Sequence, residues 1–207
     1  MLSAYITGLG AGAGLIIAIG AQNAFVLSQG VRKNHYLLVA LICAICDAVL
    51  VTIGVSGTGR LIASSPAIAG VAGIGGAVFL FAYGARAFYS AARGNRLETD
   101  RTAPASLRAV VLATFAVTLL NPHVYIDTVL LLGSIAGQFS SPGHIAFGAG
   151  AVTASFAWFF SLGIGATFLA PLFRRKWSWR VLDTFVGIVM WTIGISLTRG
   201  VFDVLPA

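Results

Sequence analysis

Long apolar stretches separated by short polar or basic clusters run through the whole chain. Each stretch is long enough for the helix of about 20 residues that crosses a bilayer. The pattern predicts six spans: Ala4 to Leu27, Tyr36 to Val55, Pro66 to Ser90, Ala109 to Ile135, His144 to Ala170, and Val181 to Leu205. The apolar N-terminus has no basic region before it and outruns a secretory signal core, so it reads as the first span. Little sequence remains between the spans. The predicted fold is therefore all-α, one transmembrane domain over residues 1–207 with no soluble part.

The basic residues fall between alternate spans. Arg32 and Lys33 follow the first span, Arg93, Arg96, Arg101 and Arg108 lie around the third connection, and Arg174, Arg175, Lys176 and Arg180 around the fifth, ten of the thirteen Lys and Arg. The other connections hold only Arg60 and, in GQFSSPGH, no basic residue. The positive-inside rule places the three basic loops in the cytoplasm and both termini outside. Arg86, near the end of the third span, snorkels to the headgroups, and Trp177 and Trp179 read as interfacial anchors. The net charge of +7 thus reports topology and not nucleic-acid binding. With 58% hydrophobic and 9% charged residues, against about 25% charged in a soluble domain, an integral membrane protein is implied.

One carboxylate, Asp47, stands in the middle of the second apolar run, between LICAIC and AVLVTIGV. A charge at the bilayer centre costs at least about 2.5–3.5 kcal/mol, so it is kept where it faces protein, water or a cationic ligand. Asp47 shares a helical stripe with Cys43, Cys46, Leu50, Gly54 and Gly57, a small-residue face that should look into the bundle. Cys43 and Cys46 form a C-x-x-C, but no other cysteine completes a metal site or resolves a disulfide, so they read as small packing residues. No metal centre or cofactor is implied. Glycines at three- and four-residue spacing, such as Gly8 and Gly12, permit close helix approach.

Polar interruptions mark the first span of each half: Gln22 and Asn23 in GAQNAFVL, and Asn121, Pro122 and His123 in LNPHVYI. Setting Asn23 against Asn121 aligns the two and divides the chain into halves 1–100 and 101–207. Three spans is an odd number, so the second half would enter the membrane from the opposite side. Inverted repeats of this kind put transport sites near the midplane, at discontinuous helices. Pro122 frees backbone carbonyls that can bind a cation, and Asn121 can satisfy them or hold substrate. By depth, Gln22 and Asn23 lie nearer the cytoplasmic side unless the first helix is tilted or unwound. His123 and Asp127 share a helix face at four-residue spacing, where they can relay protons or simply pair. Asp183 is assigned to the cytoplasmic interface, and His35 and His144 to solvated loops.

The segments GAQNAFVLSQGVRKNH, CDAVLVTIGVSGTG and LLNPHVYIDTVLLLGSI resemble the LysE family of bacterial amino-acid exporters, and within it the lysine and arginine exporters. The resemblance spans essentially the whole chain. It implies a multi-pass protein of the bacterial cytoplasmic membrane, a secondary transporter and not an enzyme, that moves basic L-amino acids outward on the proton or membrane potential. Its polar first-helix break carries over to Gln22 and Asn23, its acidic second-helix residue to Asp47, and its Asn-Pro-His with a following Asp to Asn121, Pro122, His123 and Asp127. The residues agree independently, because a desolvated cation needs a carboxylate and a zwitterion needs carbonyls and donors at helix breaks.

The partners implied are a small basic amino acid, coupled protons and the lipid bilayer, and the composition leaves room for a homo-oligomer. Export of a neutral amino acid such as threonine or homoserine, or of a metal cation, is the nearest alternative. A thiol–disulfide carrier would place redox cysteines in both halves, and a passive channel would not work uphill.

Overall fold

The computed structural model describes residues 1–17, 20–57, 66–93, 106–121, 124–140, 142–169, 171 and 176–204. All regular structure among them is helical. In chain order it comprises α1 (Leu2–Ile16), α2 (Ala21–Arg32), α3 (Tyr36–Val55), α4 (Pro66–Arg93), α5 (Leu107–Leu119), a π-helix (Tyr125–Leu131), α6 (Leu132–Ala136), α7 (Gly143–Leu169) and α8 (Lys176–Val204). Three of these, α3, α7 and Trp177–Ser196 of α8, are each long and apolar enough to cross a membrane, and the bent pair α1 and α2 would make a fourth. A multi-pass membrane protein follows.

The apolar run from Tyr36 to Val55 is one uninterrupted helix, as its pattern predicts. The first and fourth runs are not. The first is two helices inclined at 79°. The fourth is α5, a break, and then the wider π-helix with α6. The last helix begins at Lys176, earlier than the apolar pattern indicates, because a helix need not end where its lipid-facing stretch does. Trp177, Trp179 and Arg180 are therefore helical, and Asp183 lies two turns inside the helix. His144 likewise belongs to the first turn of α7 and not to a loop.

Packing follows the small residues. Along α1, a Cβ at Gly8 would strike the Phe147 backbone and one at Gly12 would sit 2.9 Å from Ala151 Cα, so α1 lies directly on α7. Helices α4 and α8 pair through Trp191, which stands edge-on to Phe81 and Phe88 with centroids 6.0 and 5.2 Å away. The main core gathers Phe25, Val39, Cys43, Leu80, Phe159 and Met190 around α2, α3 and α7. Outside it, large apolar side chains such as Ile45, Val49, Leu112, Ile164 and Ile188 are exposed. In water so much exposed apolar surface would drive association; against lipid it is the expected exterior.

Candidate transport site

Asp47 is buried, 4% exposed, on the stripe of α3 that also buries Cys43, Cys46, Leu50 and Gly54. Gly57 lies beyond the helix with φ +81°, exposed, so the stripe ends at Gly54. The Asp47 carboxylate accepts a hydrogen bond at Oδ2 from Ser155 Oγ of α7, at 3.0 Å. Among the described residues no Lys or Arg pairs with it; the one ion pair there joins Arg32 to Asp183. Gln22, in the first turn of α2, turns its amide toward Asp47 and Cys43. Its Nε2 is buried without a hydrogen-bond partner of normal geometry. Asp47 therefore has two polar neighbours, Ser155 and Gln22, and no cationic one among the described residues.

The first span is divided into α1 and α2, and Gln22, at the start of the second piece, reaches the neighbourhood of Asp47. Where α1 stops, the Ile16 carbonyl would be orphaned in a region without water. Asn23 Nδ2 donates to it at 2.6 Å from the far side of the break. The Asn23 Oδ1 in turn accepts from Trp158 Nε1 at 3.1 Å. Trp158 stands one turn from Ser155 on α7, so one helix braces both Asn23 and Asp47.

The second break is closed in a related way. The Tyr125 hydroxyl donates to the Leu119 carbonyl at 2.9 Å, and Val124 N–H to Asn121 O at 3.1 Å. Asn121 is buried at the end of α5. One turn before it, Thr118 faces Cys43 of α3, with Oγ1 and Sγ 3.9 Å apart. Tyr125 lies beside Cys46. Both cysteines are buried free thiols. Asp127 is half-buried as the third residue of the π-helix, while Pro122 and His123 lie outside the described residues. The structure thus brings Gln22 to Asp47, ties Asn23 to α7 one turn from Ser155, and sets Asn121 at the second break.

Sequence reasoning missed Ser155 and Trp158 because the rest of α7 is so uniformly apolar. Their three-residue spacing, which puts a hydroxyl and an indole N–H on one helix face, was the available signal. Asp183, assigned to the cytoplasmic interface by its sequence position, is 3% exposed and ion-paired with Arg32 of α2. Among the described residues no three His, Cys, Asp or Glu gather as a metal-holding group.

Broken helices capped by side chains around a buried carboxylate with no cationic partner among the described residues are the features of a membrane transporter. The chain belongs to the LysE family: the description "LysE type translocator" matches residues 13–200. It is 43% identical over 201 residues to a putative amino-acid transporter, YggA, of Aeromonas salmonicida, covering 97% of this chain and 98% of that protein. It is 42% identical over 200 residues to the arginine exporter protein ArgO of Shigella flexneri, covering 96% and 95%. The same figures hold for ArgO of Escherichia coli O157:H7. No solved structure matches the chain.

Proposed function

We propose that this protein exports basic L-amino acids, arginine foremost, from the cytoplasm across the inner membrane, driven by the proton or membrane potential. The observation that carries the reading is Asp47, a buried carboxylate with no cationic side chain paired to it among the described residues. A basic amino acid carries a net positive charge that balances the carboxylate, whereas a neutral zwitterion brings its own carboxylate along with its ammonium and leaves the occupied site net negative. This favours arginine and lysine over threonine or homoserine. Gln22 and Asn23 on one side, and Asn121 and Pro122 on the other, supply donors and carbonyls for the α-amino and carboxyl groups. His123 and Asp127 serve as the proton-relay candidates.

The same reading takes the chain as six spans in two inverted halves, 1–100 and 101–207. The pairings support it: α3 packs on α7 and α4 on α8, so the second and third spans of one half each meet their counterparts in the other. Two first spans broken near Asp47 fit the same scheme. Both termini are taken to be outside. The junction of Arg32, Ser90 and Asp183 supports this indirectly, because it gathers ends of α2, α4 and α8 that carry basic residues at one end of the bundle.

The test loads cells with dipeptides of arginine, lysine, threonine and homoserine, then compares efflux with and without the protein. Faster arginine and lysine efflux, abolished by an uncoupler, is the expected result. Faster threonine or homoserine efflux with arginine unchanged overturns the substrate class. For orientation, cysteines introduced at Ser141 and Arg96 are exposed to an impermeant thiol reagent in intact cells. Only the former should react.

A further inference from the structure

The buried carboxylate Asp183 plays no part in the site around Asp47, yet its surroundings are as specialised. Its Oδ1 takes the guanidinium of Arg32, from the last turn of α2. Its Oδ2 takes the Ser90 hydroxyl of α4 at 2.6 Å. Trp179, one turn earlier on α8, sets its ring 4.9 Å from Arg32 Cζ. One carboxylate oxygen and an indole face thus hold one planar cation. Guanidinium is the side-chain cation whose plane can stack on an aromatic ring while one nitrogen bonds a carboxylate.

The two halves of this contact are unequal. The Asp183 side chain is 5% exposed and held by a second helix, whereas the Arg32 side chain is 32% exposed. The receptor is buried, and its occupant is the partly exposed member of the pair. The aromatic face and the hydroxyl on the second oxygen complete a three-sided receptor for a planar cation.

We propose that Asp183, Trp179 and Ser90 form a second guanidinium site, the first contact for arginine at this end of the bundle, which Arg32 fills as a tethered surrogate until free arginine displaces it. The inference rests on the reading of the protein as an arginine exporter. A tethered competitor acts at an effective concentration in the millimolar range, so displacement requires about millimolar arginine. Export would then start only when the cytoplasm is overloaded. Lysine, whose ammonium has no plane to stack, competes poorly here. The box thereby selects arginine over lysine before either reaches Asp47. Displacing Arg32 also releases the far end of the short helix whose first turn holds Gln22 and Asn23.

The experiment measures uptake of arginine and lysine into inverted membrane vesicles. Removing the competitor in Arg32→Gln should lower half-saturating arginine at least about fivefold with the maximal rate retained, as expected for a lost millimolar rival. Asp183→Asn should raise it about tenfold for arginine, the factor that about 1.4 kcal/mol corresponds to, and leave lysine within about twofold. Ser90→Ala, the mildest change, should raise it about threefold. If Arg32→Gln and Asp183→Asn instead lower the maximal rate alike, and the exchanged pair Arg32→Asp with Asp183→Arg restores it, the contact is a static clamp and the proposal fails.

A second readout needs no transport. Methylguanidinium should raise the thermal midpoint of solubilised Arg32→Ala, methylammonium should not, and adding Asp183→Asn should remove the effect. No methylguanidinium effect on Arg32→Ala overturns the site whatever the protein carries. A methylguanidinium effect in a protein that moves no arginine confirms the guanidinium site while refuting the export reading.

Discussion

At the first break Asn23 reaches back to the Ile16 carbonyl from the helix that restarts, and at the second Tyr125 does the same for Leu119. The Asn23 amide has two ends, so after donating it still accepts from Trp158 and ties the break to α7. The Tyr125 hydroxyl closes its own chain across the gap. The first break turns the helix through 79° into regular α-helix; the second resumes as a π-helix. A broken membrane helix must cap its loose carbonyls. The choice of cap decides how many other elements are held with it.

The sharpest way to break the comparison is to remove what both breaks surround. Asp47→Asn should cut arginine efflux by at least about a hundredfold, in line with the about 2.5–3.5 kcal/mol at stake for a central charge, with insertion intact. Near-normal efflux would leave two capped breaks around nothing. Next, Asn121→Leu with Pro122→Ala restores a backbone amide and removes a polar group, and export should fall close to zero with no loss of stability. Parental rates in reconstituted vesicles would mean that the second break only bends the chain.

Asn23→Leu orphans both the Ile16 carbonyl and the Trp158 N–H, and efflux should drop about tenfold, since each bond in a membrane bundle is worth about 0.6 to 1.7 kcal/mol. Tyr125→Phe loses a single bond, so about threefold is expected. Equal losses in the two would erase the distinction between a break braced by a third helix and one closed locally. Replacing Cys43 and Cys46 by Ala should matter least, within about twofold, and abolition of transport would reopen the thiol–disulfide reading.

Asp47 and the two interruptions were legible in the sequence because each is a polar residue in lipid-length apolar surroundings, where chance retention is costly. Ser155 and Trp158 were much less so, since a hydroxyl and an indole are unremarkable in a membrane helix until another helix presents them with a partner. The π-helix left no trace in residue types, as its extra residue per turn is a backbone property. The partner of Asp183 was not legible for a simpler reason. Hydropathy gives the apolar length of a helix, not which residue of another helix meets it, and Arg32 comes from α2.

Backbone meets backbone where α3 crosses the π-helix: a methyl on Gly54 would stand 2.8 Å from the Val129 carbonyl oxygen and 2.9 Å from that of Thr128. No side chain is present there to yield, so a whole helix would have to shift. Asp47 is two turns away on that helix, about 10 Å along its axis. A genetic screen for lost export should therefore recover Gly54→Ala, a change neutral in charge and polarity, with the phenotype of a damaged carboxylate. Alleles of that kind would report on the alignment of the seam, and would be misfiled if sorted by chemistry alone.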